Sequence, residues 1–161
     1  MIYGVGGRGE FLKWCRLIKN GFFPEVGMDK NLTPFVNVQD VVQASVLASE
    51  NGQEGETYLV ASVQSYGLAL IRNLVAKHLD VKKPYVYVPK WAALAGAYAL
   101  ENAAKWLKFT PVVTSKNIRS ISTGRVFSIE KAENQLGYHP AMDLETGVKE
   151  TVHWYRDQGY L

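Results

Sequence analysis

Three glycines near the start of the chain have the spacing of a dinucleotide-binding turn. Gly4, Gly6 and Gly9 spell G-x-G-x-x-G between a short apolar run and a segment with helical periodicity. In such a turn the glycines let the backbone approach the pyrophosphate of the cofactor, and an acidic residue about twenty positions later binds the ribose. Asp29 stands at that distance. The residue types and their spacing therefore raise the question of a cofactor site.

The context of the three glycines argues against that interpretation. Only Met1, Ile2 and Tyr3 precede Gly4, and three residues span only about 10 Å at the usual rise of a strand. Asp29 should end a second strand, but the stretch before it, FFPEVGMD, contains a proline and a glycine and shows no alternation. We therefore interpret the glycines as a substrate-side or structural loop, and we expect no cofactor on this chain alone.

Other patterns of catalytic residues are missing from the sequence. No tyrosine is followed by a lysine four positions later, and there is no G-x-S-x-G or H-E-x-x-H motif. His78, His139 and His153 share no motif, and Cys15 is the only cysteine. A lone cysteine makes no internal disulfide and fits a reducing, cytoplasmic setting. We predict no catalytic residue and no metal site.

The length and charge of the chain limit its domain organisation and its possible partners. The 161 residues suit one domain over 1–161, and the net charge of +3 comes without a basic stripe, so no nucleic-acid partner is expected. The most apolar stretch, WAALAGAYAL at 91–100, is about half of the ~20 residues that a spanning helix needs. We predict a buried helix there; an interfacial membrane helix is the alternative.

The elements that would position the glycines alternate between strands and helices. Residues 2–5, PFVNV, ETYLVA and PYVYVP are predicted strands, and helices are predicted at EFLKWCRLIKNG, from Asp40, at SYGLALIRNLVAKHL, at 90–108, at TSKNIRSIS, at EKAENQL and after Asp143. Asp40 with Gln43 reads as a capping box at a helix start. The last helix presents an apolar face of Leu144, Val148, Val152 and Tyr155. Strands separated by helices indicate an α/β fold.

Four segments, in order, resemble the C-terminal half of extended short-chain dehydrogenases, the NAD-dependent epimerase/dehydratase family. They are IYGVGGRGEF, PFVNVQDVVQASVLA, GETYLVA and ENQLGYHPAMDLETGVKETVHWYRDQGYL. The middle, with VPKWAALAGAYALE and TPVVTSKNI, is most similar to the branch of 3β-hydroxysteroid dehydrogenases and dihydroflavonol reductases. The resemblance covers nearly the whole chain.

The resemblance implies the substrate-binding part of a Rossmann-type enzyme, without the N-terminal half that would hold NAD or NADP and the Tyr/Lys pair. Family positions that line the substrate pocket fall on Tyr3, Gly4, Gly6, Arg8, Phe11, Asn37 and Val38. Nucleotide-sugar members carry an arginine shortly before the Asn37 position, whereas this chain has Thr33, Pro34 and Phe35. The resemblance therefore implies a small or apolar hydroxy or keto substrate.

Two expectations about function follow, with a third held open. The first is a substrate-binding portion of an NAD(P)-dependent oxidoreductase or epimerase-like protein that is not catalytically competent alone. The alternative is a non-enzymatic, homo-oligomeric interaction module. Open strand edges and the small residues Ala92, Gly96, Ala99 and Ala103 would then promote self-association in place of the missing half. A membrane-surface protein using 91–107 is the third, less expected, interpretation.

Overall fold

The computed structural model describes residues 1–23, 25–26, 32–82, 87–107, 111, 114–121 and 124–161. Within them, six short strands form three two-stranded sheets. Strands β1 (Ile2–Tyr3) and β4 (Val36–Asn37) pair in parallel, as do β2 (Glu25–Val26) and β6 (Tyr87–Val88), while β3 (Leu32–Thr33) and β5 (Tyr66–Gly67) pair antiparallel. Asp29, the acidic residue of the glycine pattern, lies outside the described residues.

Helices make up most of the described structure. Their bounds are α1 Glu10–Lys19, α2 Val38–Asn51, α3 Leu68–Leu79, α4 Lys90–Leu107, α5 Ser115–Ile121, α6 Glu130–Leu136 and α7 Leu144–Asp157. Each matches a helix that the sequence predicts, and the α/β class is confirmed. None of these helices is both long and apolar enough to cross a membrane.

The main core lies where α1, α3 and α7 pack together next to β1. Tyr3, Phe11 and Phe35 form an aromatic cluster with ring centroids 5.1 to 5.8 Å apart. The predicted apolar face of α7 is confirmed, because Leu144, Val148, Val152 and Tyr155 are all buried in this core. A second, smaller cluster joins α2 to α6 around the buried Tyr138. The aromatic cluster fixes the position of β1 and therefore of the glycines that follow it.

The predicted capping role of Asp40 is wrong. Helix α2 begins at Val38, and its N-cap is Asn37, whose side-chain oxygen accepts a hydrogen bond from the Gln39 N–H at 2.9 Å. Asn37 ends β4 with extended dihedral angles, which is the conformation of an N-cap. Asp40 is buried in the first turn, and its Oδ1 accepts from the N–H groups of Ala141 and Met142 at 2.9 and 3.3 Å. Asp40 therefore ties α2 to the segment before α7.

Three predicted strands are shorter than expected or absent. The strand predicted over 2–5 contributes only Ile2–Tyr3 to a sheet, and PFVNV contributes only Val36–Asn37. Of PYVYVP, 84–86 lie outside the described residues, and Tyr87–Val88 forms β6. ETYLVA forms no strand. Its carbonyls accept from side chains instead of a ladder, since Tyr138 donates to Ala61 O at 3.1 Å and Lys131 donates to Thr57 O at 2.9 Å.

The predicted burial of residues 91–100 is also wrong. The segment is helical, but Trp91 and Tyr98 are exposed, and so is Trp106 further along the same helix. Helix α4 buries only the side carrying Ala97 and Ala104, where it packs against α5. An apolar composition favours burial of a helix, but the elements that pack against the helix decide which of its sides are buried.

Candidate functional site

The glycine loop, Gly4–Gly9, begins where β1 ends and meets the start of α2. Because β1 and β4 are parallel, with Tyr3 opposite Asn37, their carboxyl ends lie at the same edge. Gly4 (φ +141°) and Val38 approach so closely there that a Cβ on Gly4 would lie 2.5 Å from Val38 Cγ1. In open α/β folds, ligands bind at the carboxyl ends of strands. The residues predicted at Gly4, Asn37 and Val38 are therefore brought together at such an edge.

A tight turn shapes the loop itself. The Gly7 N–H donates to the Gly4 carbonyl at 3.2 Å, and Gly6 between them has φ +87°. A positive φ at the third position of a four-residue turn is the signature of type II, which favours glycine. Gly6 and Arg8 are exposed at the turn. The loop thus presents backbone groups and one guanidinium on its open side.

Tyr3 and Asn37 form a buried polar pair under the loop. The Asn37 side chain hydrogen-bonds the Tyr3 hydroxyl, but burial outweighs this and raises the pKa of Tyr3 above its ordinary value. The hydroxyl therefore stays protonated at neutral pH. A Cβ on Gly147 of α7 would lie 2.5 Å from Tyr3 Oη and 2.9 Å from Asn37 Nδ2. The absence of a side chain at Gly147 is what lets α7 pack against this pair.

The end of α7 braces the outer part of the loop. Tyr155 donates its hydroxyl to the Gly7 carbonyl at 2.7 Å, and burial raises the pKa of Tyr155 to about 12, which keeps it a donor. The Arg8 guanidinium lies 5.3 Å from the centre of the Tyr160 ring, within the range of a cation–π contact. The sequence does not reveal Tyr155 and Tyr160 as site residues, because their contacts cross about 150 positions of chain.

The seven predicted binding residues divide into two groups. Gly6 and Arg8 are exposed and Val38 is half-buried, so these three are open to a ligand. Tyr3, Gly4, Phe11 and Asn37 are buried. Phe11 lies in the aromatic core with 2% of its surface exposed, where it supports the loop from below.

The loop does not fit a dinucleotide. In the fingerprint, the third glycine serves close packing of helix against strand. A Cβ on Gly9 would meet no atom within 4 Å, and the same holds for Gly6. Glu10, an acidic residue, also opens α1 at the position where a pyrophosphate would bind. No group of metal-ligating side chains occurs among the residues that the structure describes.

Comparison with known sequences places the chain beside sterol-modifying enzymes. It is 27% identical, over 95% of its length, to the decarboxylating sterol-4-alpha-carboxylate 3-dehydrogenase of Schizosaccharomyces pombe. It is 28% identical, over 79% of its length, to 3beta-hydroxysteroid-dehydrogenase/decarboxylase isoform 1 of Arabidopsis thaliana. The matches cover 47% and 32% of those proteins, so the chain spans half of their length or less. No protein-family model matches the chain.

Solved structures share the fold over the whole chain. A nucleoside-diphosphate-sugar epimerase from Pseudomonas aeruginosa superposes with a TM-score of 0.75 at 20% identity, covering 100% of this chain and 47% of that one. A dTDP-glucose 4,6-dehydratase from Bacillus anthracis, solved in complex with NAD, gives 0.66 at 17% identity, covering 98% and 42%. The fold is therefore that of about half of a Rossmann-type epimerase structure.

Proposed function

We propose that this chain, a partial-length homologue of the sterol-4-alpha-carboxylate 3-dehydrogenases and 3beta-hydroxysteroid-dehydrogenase/decarboxylases, is the substrate-binding portion of an NAD(P)-dependent oxidoreductase. The observation that carries the proposal is the meeting of Gly4 and Val38 at the carboxyl edge of β1 and β4. The exposed side of the glycine loop is the proposed binding surface, with Gly6, Arg8 and Val38 in contact with substrate. Tyr3, Gly4, Phe11 and Asn37 hold that surface in place.

The proposed substrate is apolar and carries a hydroxyl or keto group. Phe35 is fully buried in the core, and its neighbours Thr33 and Pro34 supply no cation for a phosphate. The names of the relatives point to a carboxylated sterol. Arg8 is exposed and takes part in none of the ion pairs found among the described residues. We assign Arg8 to a substrate carboxylate, which a guanidinium binds with paired N–H groups.

The role of the chain in this proposal is to bind and orient, not to move hydride. The relatives are dehydrogenases, and hydride chemistry belongs to a nicotinamide cofactor. The glycine loop does not fit that cofactor, and the sequence has no Tyr-x-x-x-Lys pair. We therefore propose that NAD or NADP and the proton donor come from a further half of the protein. The reducing, cytoplasmic setting predicted from the lone Cys15 stays a prediction.

A second candidate function is a homo-oligomeric interaction module. Ile2 in β1 and Val5 just after it are exposed, and aromatic side chains are exposed along α4. Exposed apolar surface of this kind marks contact with a partner. Self-association through either surface is compatible with substrate binding at the glycine loop.

Calorimetric titration with a 4α-carboxy-3β-hydroxysterol, solubilised in cyclodextrin, tests the first proposal. Gly6→Ala introduces a Cβ at φ +87°, and Gly55→Ala is the matched control because Gly55 (φ +79°) also has open space around it, in a turn before ETYLVA. Strain in the loop should weaken binding by about tenfold in Gly6→Ala. Gly55→Ala should bind like the unmodified chain. Equal losses in both variants, or no saturable binding by the unmodified chain, would refute the assignment.

A further inference from the structure

Helix α4 carries a continuous solvent-exposed stripe. Trp91 is 75% exposed, Tyr98 44% and Trp106 89%. At 3.6 residues per turn, these aromatics fall with Ala95 and Asn102 within an arc of about 80° on one side of the helix. We call these five residues the α4 stripe. The buried Ala97 and Ala104 lie on the opposite side.

Contacts with α5 do not cover the stripe. Glu101 accepts hydrogen bonds from the N–H and hydroxyl of Ser115 at 2.7 and 3.0 Å, which joins the two helices at the side of α4. Arg119 donates to the Tyr98 hydroxyl at 2.8 Å, and Tyr98 is nevertheless 44% exposed. Two tryptophans exposed to this degree on one helix face form an apolar patch of the kind that marks an interaction site.

Four of the five stripe residues are spaced symmetrically about the centre of the stripe. Counting outward from the point between Tyr98 and Ala99, Trp91 corresponds to Trp106 and Ala95 corresponds to Asn102. A two-fold axis through that point would place each tryptophan beside the other tryptophan of a second copy. Isologous interfaces require a surface that is complementary to itself. The stripe has that property when two α4 helices run antiparallel.

We propose that the α4 stripe is a self-association surface, on which α4 of a second copy of this chain packs antiparallel about an axis near Tyr98 and Ala99. Trp91 then contacts Trp106 of the partner subunit, and Ala95 faces Asn102 of the partner subunit. Ala99 and Ala103 beside the stripe are exposed and small, which lets the two backbones approach. Lys105, exposed next to the stripe, contributes charge at the edge of the apolar surface.

The exposed apolar area of the α4 stripe limits the strength of the proposed dimer. Tryptophan and tyrosine bury about 150–250 Å² each when fully covered. At their exposed fractions, the three aromatics offer about 300–500 Å² per copy. Doubled for two copies, the area is about 600–1,000 Å², below the range of stable interfaces, about 1,200–2,000 Å². The expected dimer is therefore weak, with a dissociation constant on the order of 10 to 100 µM.

This inference deepens the second candidate function and rests on a surface separate from the glycine loop. Failure of the substrate-binding proposal would leave the self-association proposal standing, because the two are tested by measurements of different properties. Sterol titration reports on the loop, whereas the experiments below report on mass and on cross-links between α4 helices.

Cysteine cross-linking tests the antiparallel arrangement directly. Cys15 is buried with its pKa raised to about 12, so an engineered surface thiol reacts without competition from it. Ala95→Cys and Asn102→Cys chains are purified separately and oxidised alone and as a mixture. Residue 95 faces residue 102 of the partner but lies about 10 Å along the axis from its own counterpart, too far for a disulfide. A disulfide dimer should form in the mixture and not in either variant alone.

Light scattering after size exclusion supplies the second measurement. The unmodified chain should rise from 18.0 kDa towards twice that mass with concentration. Trp91→Ala combined with Trp106→Ala should keep it at the monomer mass. Phe22→Ala is the control, because Phe22 is also exposed and aromatic but lies beyond the end of α1.

Three results would overturn the proposal. The first is cross-linking of either cysteine variant alone to the same extent as in the mixture, which means a parallel or unspecific contact. The second is a monomer at every concentration. The third is a monomer that co-sediments with phosphatidylcholine–phosphatidylserine vesicles through Trp91 and Trp106, which assigns the stripe to a membrane surface.

Discussion

Gly147 is where α7 lies nearest to the buried Tyr3–Asn37 pair, and one added methyl group there has a calculable cost. The Cβ of Gly147→Ala would lie 2.5 Å from Tyr3 Oη, well inside contact distance. The Tyr3 ring cannot move aside easily, because Phe11 and Phe35 pack against it with centroids at 5.3 and 5.1 Å. The substitution therefore forces either α7 or the start of the glycine loop to shift.

The size of the effect follows from two opposing contributions. Overpacking a core costs about 1–3 kcal/mol, whereas alanine in place of glycine inside a helix returns about 1 kcal/mol. The net loss in the free energy of unfolding should be up to about 2 kcal/mol, since the clash offsets or outweighs the gain in propensity. For a chain of this size that corresponds to a fall in Tm of up to about 8 °C.

Thermal and urea unfolding of Gly147→Ala, Gly96→Ala, Tyr3→Phe and the Gly147→Ala/Tyr3→Phe double variant provides the assay. Gly96→Ala is the control, because Gly96 is also inside a helix but a Cβ there meets no atom within 4 Å, so this variant should gain stability. Combining Gly147→Ala with Tyr3→Phe removes the clashing oxygen, so the cost of Gly147→Ala should shrink in that background. If Gly147→Ala gained as much stability as Gly96→Ala, the close packing of α7 on the Tyr3–Asn37 pair would be refuted.

The remaining predictions concern single charged or titratable groups. Asp40→Ala should lower the free energy of unfolding by about 1–3 kcal/mol, measured in urea, because two backbone N–H groups before α7 lose their acceptor; no loss would mean that water replaces the carboxylate. Burial lowers the pKa of His78, whose Nε2 has no hydrogen-bond partner among the described residues. The unfolded chain thus binds more protons just below pH 6.5, and Tm should fall as the pH drops through that region. His78→Gln should flatten this dependence of Tm on pH, whereas the control His139→Gln should leave it in place. The same dependence in His78→Gln as in the unmodified chain would show that His78 does not cause it. Arg8→Gln should weaken binding of the carboxylated sterol by about tenfold and leave the matching 4-methyl sterol unaffected; equal losses for both sterols would remove the role of Arg8.

The sequence is sufficient to predict the elements whose signals are local. Helix α7 follows from Asp143, which accepts from the Thr146 N–H at 3.0 Å, and from an apolar face at helical spacing. The turn after α6 follows from Gly137, which adopts φ +70°. In both cases the deciding interactions lie within a few residues, so a pattern in the sequence can specify them.

Features decided by distant contacts could not be predicted in the same way. Asp40 looks like a helix cap until β4 is seen to end at Asn37, which moves the start of α2 by three residues. The exposure of α4 depends on which elements pack against it, and its composition alone favours burial. The family resemblance implies that Asn37 and the glycine loop line a substrate pocket, which stays a prediction, but it says nothing of Tyr155 or Gly147, which pack against this region from the other end of the chain.

The hydrogen bond from Tyr155 to the Gly7 carbonyl has a consequence for the order in which the protein folds. The two residues are 148 positions apart. At about 5–20 residues per second, a ribosome needs roughly 7 to 30 s to synthesise the chain between them. Throughout that time the loop exists without its brace, and closing so long a segment is an entropically slow step. The glycine loop is synthesised well before α7 but should acquire its native form only once α7 is present, so nascent chains that lack α7 should leave the loop, β1 and α1 exposed to chaperones and proteases.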